Sequence, residues 1–218
     1  MKKIDVKEDL FKFFYGAAVA DATQQQAYNA TKAWMKDTNK LPQTCCELKR
    51  LIEDIQEKKL NSQKEYDDRF LKIAKIVSCE VTKESEKYNG RKDFTFGNTQ
   101  KLINILLKEY YFNAFNDTKN REGFKFCHCP MDRKMMEHVW EKNALLSKEL
   151  QEEMQKNKKA GFTAAWSKLT FENDQCPERY KLFQKAILEL CNQFKFEDRA
   201  IYPLEYDYHV FNDLLNEN

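Results

Sequence analysis

Residues 126–132, FCHCPMD, gather side chains that could do chemistry: Cys127, His128 and Cys129 in a row, then Pro130, then Asp132. Zinc is the first chemistry to test. Tetrahedral zinc sites usually separate their first two ligands by two to four residues, and neighbours in an extended chain point to opposite sides. Cys127 and His128 therefore share an ion poorly. Cys127 and Cys129 would need distant partners such as Cys176, Cys191 or His209. Cys45–Cys46 is no better spaced. The pattern assigns no metal and no cofactor.

Nucleophilic chemistry is the second option. A Cys129 thiolate near a helix start would have a lowered pKa, with His128 or His138 as its base. A plain core cysteine explains the same residue. The third option is the helix start itself. Pro130 fixes its φ, and Asp132 can accept the free amides of the first turn. His128 with Arg133 could instead hold a phosphate at that helix start. The Asp132 carboxylate competes for the same place, so capping and anion binding exclude one another there.

A further polar set lies on the helix expected at about 99–116, TQKLINILLKEYYFNAF. Apolar residues cover most of its circumference, which marks it as central. Its narrow polar stripe is Lys101, Asn104 and Lys108, with Gln100 beside it. Such a stripe either grazes solvent or lines an internal cleft.

The elements that must position these residues are helical. Leu10, Phe13, Phe14, Ala17 and Ala18 repeat at helical spacing over 6–20, with Gly16 inside as a point of close packing. A second helix is expected over 22–37. A third follows Pro42, with Thr44 as its cap, and a fourth carries Tyr66, Phe70, Ile73, Ile76 and Val77. Asn61–Ser62 is the candidate break between those two. Residues 88–98 and 116–123 read as loops. FKFCHC suggests a short extended piece at 124–128. Asp132 caps one long helix through about 159, with Gly161 beyond its end. Pro177 and Pro203 open the last two helices. The expected fold is all-α, a compact orthogonal bundle of about seven to nine helices. It forms one domain over 1–218, with any subdivision near 88–98.

Composition agrees. With 42% hydrophobic and 33% charged residues the chain is globular, and only 5 Gly and 4 Pro suit long helices better than tight hairpins. The balance of 37 basic and 35 acidic residues, formally +2, neither requires nor excludes a nucleic-acid partner. No apolar run approaches a membrane span, and MKKIDVKEDLFKFF carries no secretory pattern. Seven cysteines without such a signal point to reduced thiols and a cytoplasmic location. Glycine-rich phosphate loops, G-x-G-x-x-G, H-E-x-x-H and G-x-S-x-G are all missing.

TFGNTQKLINILLKEY, CHCPMD, AWSKL and PLEYDYHVF together resemble a group of uncharacterised prokaryotic all-helical proteins. That group carries a glycine followed by Q-K, N and K on a helix, then H-x-P-x-D, then W-[ST]-K. The matching positions are Gly97, Gln100, Lys101, Asn104, Lys108, His128, Pro130, Asp132, Trp166 and Lys168. The likeness spans roughly 94–212, with 14–23 as a further piece. It implies a shared site and names no activity.

Both lines converge on one expectation. Gln100, Lys101, Asn104 and Lys108 would face His128, Arg133, Trp166 and Lys168 across a cleft that takes a phosphate-bearing ligand, a nucleotide or nucleic acid. A catalytic version would use His128 as acid or base, oriented by Asp132. One alternative is a helical interaction module or homodimer, with KFFYGAA and KEYYFNAF as its aromatic surface. Another is a metal-dependent hydrolase or nuclease built on Asp132, Glu205 and Asp207.

Overall fold

The computed structural model describes residues 5–23, 34–87, 93–114, 121–196 and 198–216. Eight α-helices lie among them: α1 (Val6–Ala22), α2 (Pro42–Gln56), α3 (Gln63–Glu86), α4 (Phe96–Asn113), α5 (Arg133–Glu141), α6 (Lys148–Phe162), α7 (Glu178–Cys191) and α8 (Pro203–Asn216). The chain is an all-α bundle. The expected helix at 22–37 falls largely outside the described residues, as do 88–92 and 116–120 of the expected loops.

α4 is the central element, with every residue from Phe96 to Leu107 buried. α1 lies antiparallel against it: the Phe14 ring meets Tyr110 at 5.1 Å, and Asp21 meets Lys101 at 3.4 Å. The small buried side chains Ala18 and Ala22 allow that approach. Gly16 does not contribute to it, because among the described residues nothing lies within 4 Å of where its Cβ would stand.

α2 and α3 form an antiparallel pair. The first turn of α2 is capped from across that pair: the Glu80 carboxylate accepts the amides of Gln43 at 3.1 Å and Thr44 at 2.6 Å. Thr44 is therefore not the cap that its type suggested, since a carboxylate from α3 already satisfies those donors. Asn61–Ser62 does separate the two helices. Ser62 Oγ accepts the Glu65 amide, and the Glu65 carboxylate accepts that of Asn61.

The single helix expected from 133 to 159 is broken. α5 stops at Glu141, a 3-10 turn covers Asn143–Leu145, and Ser147 restarts the chain by accepting the Leu150 amide. Glu189 of α7 accepts both the amide and the hydroxyl of Ser147, which fixes the corner. Gly161 lies inside α6, not beyond it, and Lys158 kinks that helix at φ 53°.

Extended structure is also placed differently. Residues Glu122–Phe126 form a 3-10 turn, and extended backbone begins only at Cys127. The paired strands are two residues each, β1 (Lys195–Phe196) antiparallel to β2 (Arg199–Ala200). Buried apolar side chains from α1 through α8 make one continuous core spanning both sides of 88–98. No helix among the described residues is long and apolar enough to cross a membrane.

Candidate functional site

The CHCPMD segment is held by two glutamine side chains acting as backbone partners. Gln184 Oε1 accepts the Cys129 amide at 3.1 Å while its Nε2 donates to the Cys129 carbonyl at 2.8 Å. Gln100 does the same for Met131, at 3.0 Å and 2.8 Å, and also donates to the Gly97 carbonyl at 2.9 Å. A buried loop must find partners for its peptide groups, and here α7 and α4 supply them from side chains. Gln100 is thus fully occupied inside the protein. It does not line a cleft.

His128 faces away from Asp132. Its Nε2 lies 3.0 Å from Asp67 Oδ1 and its Nδ1 lies 3.0 Å from the Tyr180 hydroxyl. Tyr66, Phe70 and Tyr180 ring it with edge contacts of 5.0 to 5.5 Å. Asn104 stands behind Tyr180, donating to its oxygen at 3.0 Å and to Gln100 Oε1 at 3.1 Å. The expectation that Asp132 orients His128 is therefore corrected: Asp67 on α3 is the carboxylate partner. Burial opposes charge on Asp67, but the His128 and Gln63 contacts together outweigh it and hold the carboxyl below its ordinary value. Asp67 sits on a surface groove of about 420 Å³ between α3 and α7, which His128 and Tyr180 reach from beneath.

Lys101 and Asp132 occupy the other side of the segment. Asp132 caps α5 with Oδ1, 3.0 Å from the Met135 amide, and presents Oδ2 to Lys101 Nζ at 3.5 Å. The ammonium also faces Asp21 Oδ1 at 3.4 Å and the Trp166 ring at 5.0 Å from its centroid. Lys101 is 5% exposed, whereas Trp166 is only partly buried. The anion position at the start of α5 is filled by the protein's own carboxylate.

Trp166 is fixed by the backbone around it. It opens the 3-10 turn Trp166–Lys168, whose flanks bond to the start of α4: the Gly97 amide donates to Leu169 O at 3.1 Å, and Thr95 Oγ1 to Ser167 O at 2.7 Å. A Cβ on Gly97 would fall 1.9 Å from the Trp166 carbonyl oxygen. The close approach that Gly16 does not make is made at Gly97.

Lys108 lies two turns along the same face of α4 and pairs with Asp207 of α8 at 2.7 Å. Burial pushes the Asp207 carboxyl up, with Lys108 opposing it. Burial likewise pulls Lys108 down, but Asp207 outweighs it and raises the ammonium above its ordinary value. Glu205 is turned elsewhere, to Arg199 at 2.7 Å and to the Tyr111 hydroxyl. The trio Asp132, Glu205 and Asp207 does not converge, and among the described residues no three His, Cys, Asp or Glu side chains are grouped to hold a metal ion.

Two further expectations change. Arg133 is exposed and pairs with Glu137 one turn on, outside the cleft. Cys129 is fully buried, and burial pushes its thiol well up, which is the reverse of a nucleophile's environment. Lys168 is exposed on the Trp166 turn. The expected single cleft is thus two sites: Lys101, Asp132, Asp21 and Trp166 on one side, His128, Asp67 and Tyr180 on the other. Asn104 and Gln100 are packed between them.

Asp21, Asp67, Tyr180 and Gln184 are the working residues that sequence reasoning passed over. Only Asp21 had a usable signal, an acidic residue within an otherwise apolar helical face. Gln184 and Tyr180 read as ordinary helix residues. No family model matches this chain, and neither a curated protein nor a solved structure matches it.

Proposed function

We propose that the protein binds a base-bearing, phosphate-carrying ligand, a nucleotide or a stretch of nucleic acid, at the surface where Lys101 meets Trp166. The observation that carries this reading is the indole itself. It remains partly exposed although its turn is pinned to α4 by two hydrogen bonds and by the missing side chain of Gly97. A base can stack on such a surface without a specific edge contact. Lys101 offers its buried ammonium beside the ring, and Lys168 offers an exposed one for phosphate.

The site is electrostatically mixed, because Asp21 and Asp132 face the same ammonium. Phosphate therefore belongs at Lys168, at the rim, and the base or sugar belongs beside Lys101. Titration of tryptophan fluorescence with single-stranded oligonucleotides and nucleotides tests this. Quenching should be lost in Trp166→Phe, and affinity should fall as salt rises. Equal quenching in Trp166→Phe would end the proposal.

A second reading is an interaction module. It draws on exposed apolar side chains, Val6 and Phe13 at 71%, Tyr208 at 50% and Phe211 at 49%. Native mass spectrometry reports a dimer directly.

A further inference from the structure

We propose that the ligand of the Trp166 surface is a single-stranded nucleic acid several nucleotides long, whose phosphates run from Lys168 to the lysines at the end of α6. This rests on the reading above and narrows it, because a free nucleotide needs only the first of those contacts.

Residues 155–170, QKNKKAGFTAAWSKLT, contain four lysines and no acidic residue. The whole chain sets 35 acidic residues against 37 basic ones, so a stretch this one-sided stands apart. Lys156, Lys158, Lys159 and Lys168 are all exposed, and among the described residues none of them makes an ion pair. Other lysines of the chain are partnered, Lys49 by Glu8, Lys108 by Asp207 and Lys181 by Glu178. The helix dipole favours cations in the last turn of α6. It does not account for Lys168, which lies outside that helix. Nor does it account for Lys158, whose φ of 53° breaks the helix at its own position. A non-glycine residue held there is strained and persists only where its surroundings fix it.

The fold brings these lysines to the indole. Arg179 of α7 donates to the Gly161 carbonyl at 2.8 Å and to the Ala165 carbonyl at 3.4 Å. One guanidinium thus clasps the chain just after Lys159 and just before Trp166. The Ala165 carbonyl also accepts the Lys168 amide at 3.1 Å. Thr163 closes the turn on the Lys159 carbonyl, through its amide at 2.9 Å and its hydroxyl at 2.8 Å. The run from Lys159 to Lys168 is therefore gathered around Arg179, with the partly buried Trp166 between its two basic ends. Single-stranded binders combine the same two parts: bases stack on an aromatic face while phosphates follow a line of cations. The acids nearest in sequence, Glu153 and Glu172, bound the stretch. Glu172 acts on Arg179, but one of its carboxylate oxygens already accepts the Glu178 amide at 3.1 Å.

The test is the part of the fluorescence quenching that Trp166→Phe removes, measured on the full chain with deoxyadenosine monophosphate, the dinucleotide and longer oligodeoxyadenylates. Affinity should rise with each added nucleotide until the strand covers the end of α6, then level off. The triple variant Lys156→Gln/Lys158→Gln/Lys159→Gln changes only exposed side chains, and its urea midpoint should match wild type. Its affinity for the longer strands should depend less on salt, the log–log slope falling by about 2, at about 0.7 for each single-strand phosphate contact removed. An affinity that does not grow with length, or an unchanged slope in the triple variant, overturns the strand path and leaves nucleotide binding at Trp166 standing. Polyglutamate, which carries negative charge without bases, should compete far less well than an oligodeoxyadenylate of equal charge. Equal competition overturns nucleic acid as the ligand. If no probe, short or long, gives quenching that depends on Trp166, this inference and the reading beneath it fall together.

Discussion

Lys101 Nζ lies 3.5 Å from one oxygen of Asp132, while the other oxygen of that carboxylate accepts the Met135 amide at 3.0 Å. One side chain therefore starts a helix and balances a buried ammonium. The two roles separate by substitution. Asp132→Asn keeps a capping oxygen and should cost only a few tenths of a kcal/mol from the cap, whereas Asp132→Ala should cost about 1 kcal/mol. Urea midpoints of both variants check this. With the charge removed in Asp132→Asn, phosphate-bearing ligands should also bind more tightly to the cleft.

Gly97→Ala should be among the most damaging small substitutions in the chain. Its new methyl group would meet the Trp166 carbonyl at 1.9 Å, and backbone cannot swing aside as a side chain can. We expect a loss of about 1–3 kcal/mol or more, the cost of overpacking. The emission of Trp166 should shift as its turn is pushed off α4. Gly16→Ala, with nothing near the new methyl among the described residues, should be neutral or stabilising.

Acid should act through Glu205. Burial opposes its charge, but bonds from Arg199, from the Tyr111 hydroxyl and from the Tyr202 amide outweigh that and hold the carboxyl below its ordinary 4.5. A folded value below the unfolded one adds stability above the unfolded value and loses it as pH falls through the folded one. Glu205→Gln should therefore be less stable than wild type at neutral pH, with the gap closing below 4.5. Denaturation midpoints at several pH values give the comparison. A gap that stays constant would remove Glu205 from the acid response.

The thiols should divide by burial. All seven cysteines are free; Cys46 and Cys79 are exposed, while Cys45, Cys127, Cys129 and Cys191 are buried. Burial lifts the Cys45 thiol to about 12 and that of the half-buried Cys176 to about 11. A thiol reagent near neutral pH should label Cys46 and Cys79 first, with the four buried residues following only on unfolding. Early labelling of Cys129 would revive it as a nucleophile.

The parts of this fold that could be read from sequence are those set by periodicity. Leu48, Leu51, Ile52 and Ile55 repeat at helical spacing along α2 and are its buried stripe, and the nearly all-round apolar cover of 102–111 marked α4 as central, as it is. The break at 142–147 escaped because it is made by a tertiary contact, Glu189 on Ser147, that local pattern does not carry. The site divides the same way. Asp132 as a cap follows from its type and position. That His128 belongs to Asp67 does not, since the pairing depends on which side of a pinned loop each residue emerges. Gln100 and Asn104 drew notice as polar residues on a buried helix. Their use turned out to be structural, because a buried loop without strand partners needs amides from somewhere.

The hold on residues 129 and 131 by Gln184 and Gln100 has an evolutionary reading. Both glutamines grip peptide groups, so they are indifferent to which side chains the gripped residues bear. Drift at Cys129 or Met131 is limited only by the volume of the pocket each fills. Drift at Gln184 takes a partner from two peptide groups at once, and drift at Gln100 from three. A library built on this chain should accordingly tolerate Ala, Ser or Val in place of Cys129 and reject nearly every replacement of Gln184, an inversion of the usual rule that the loop residue is the one worth keeping.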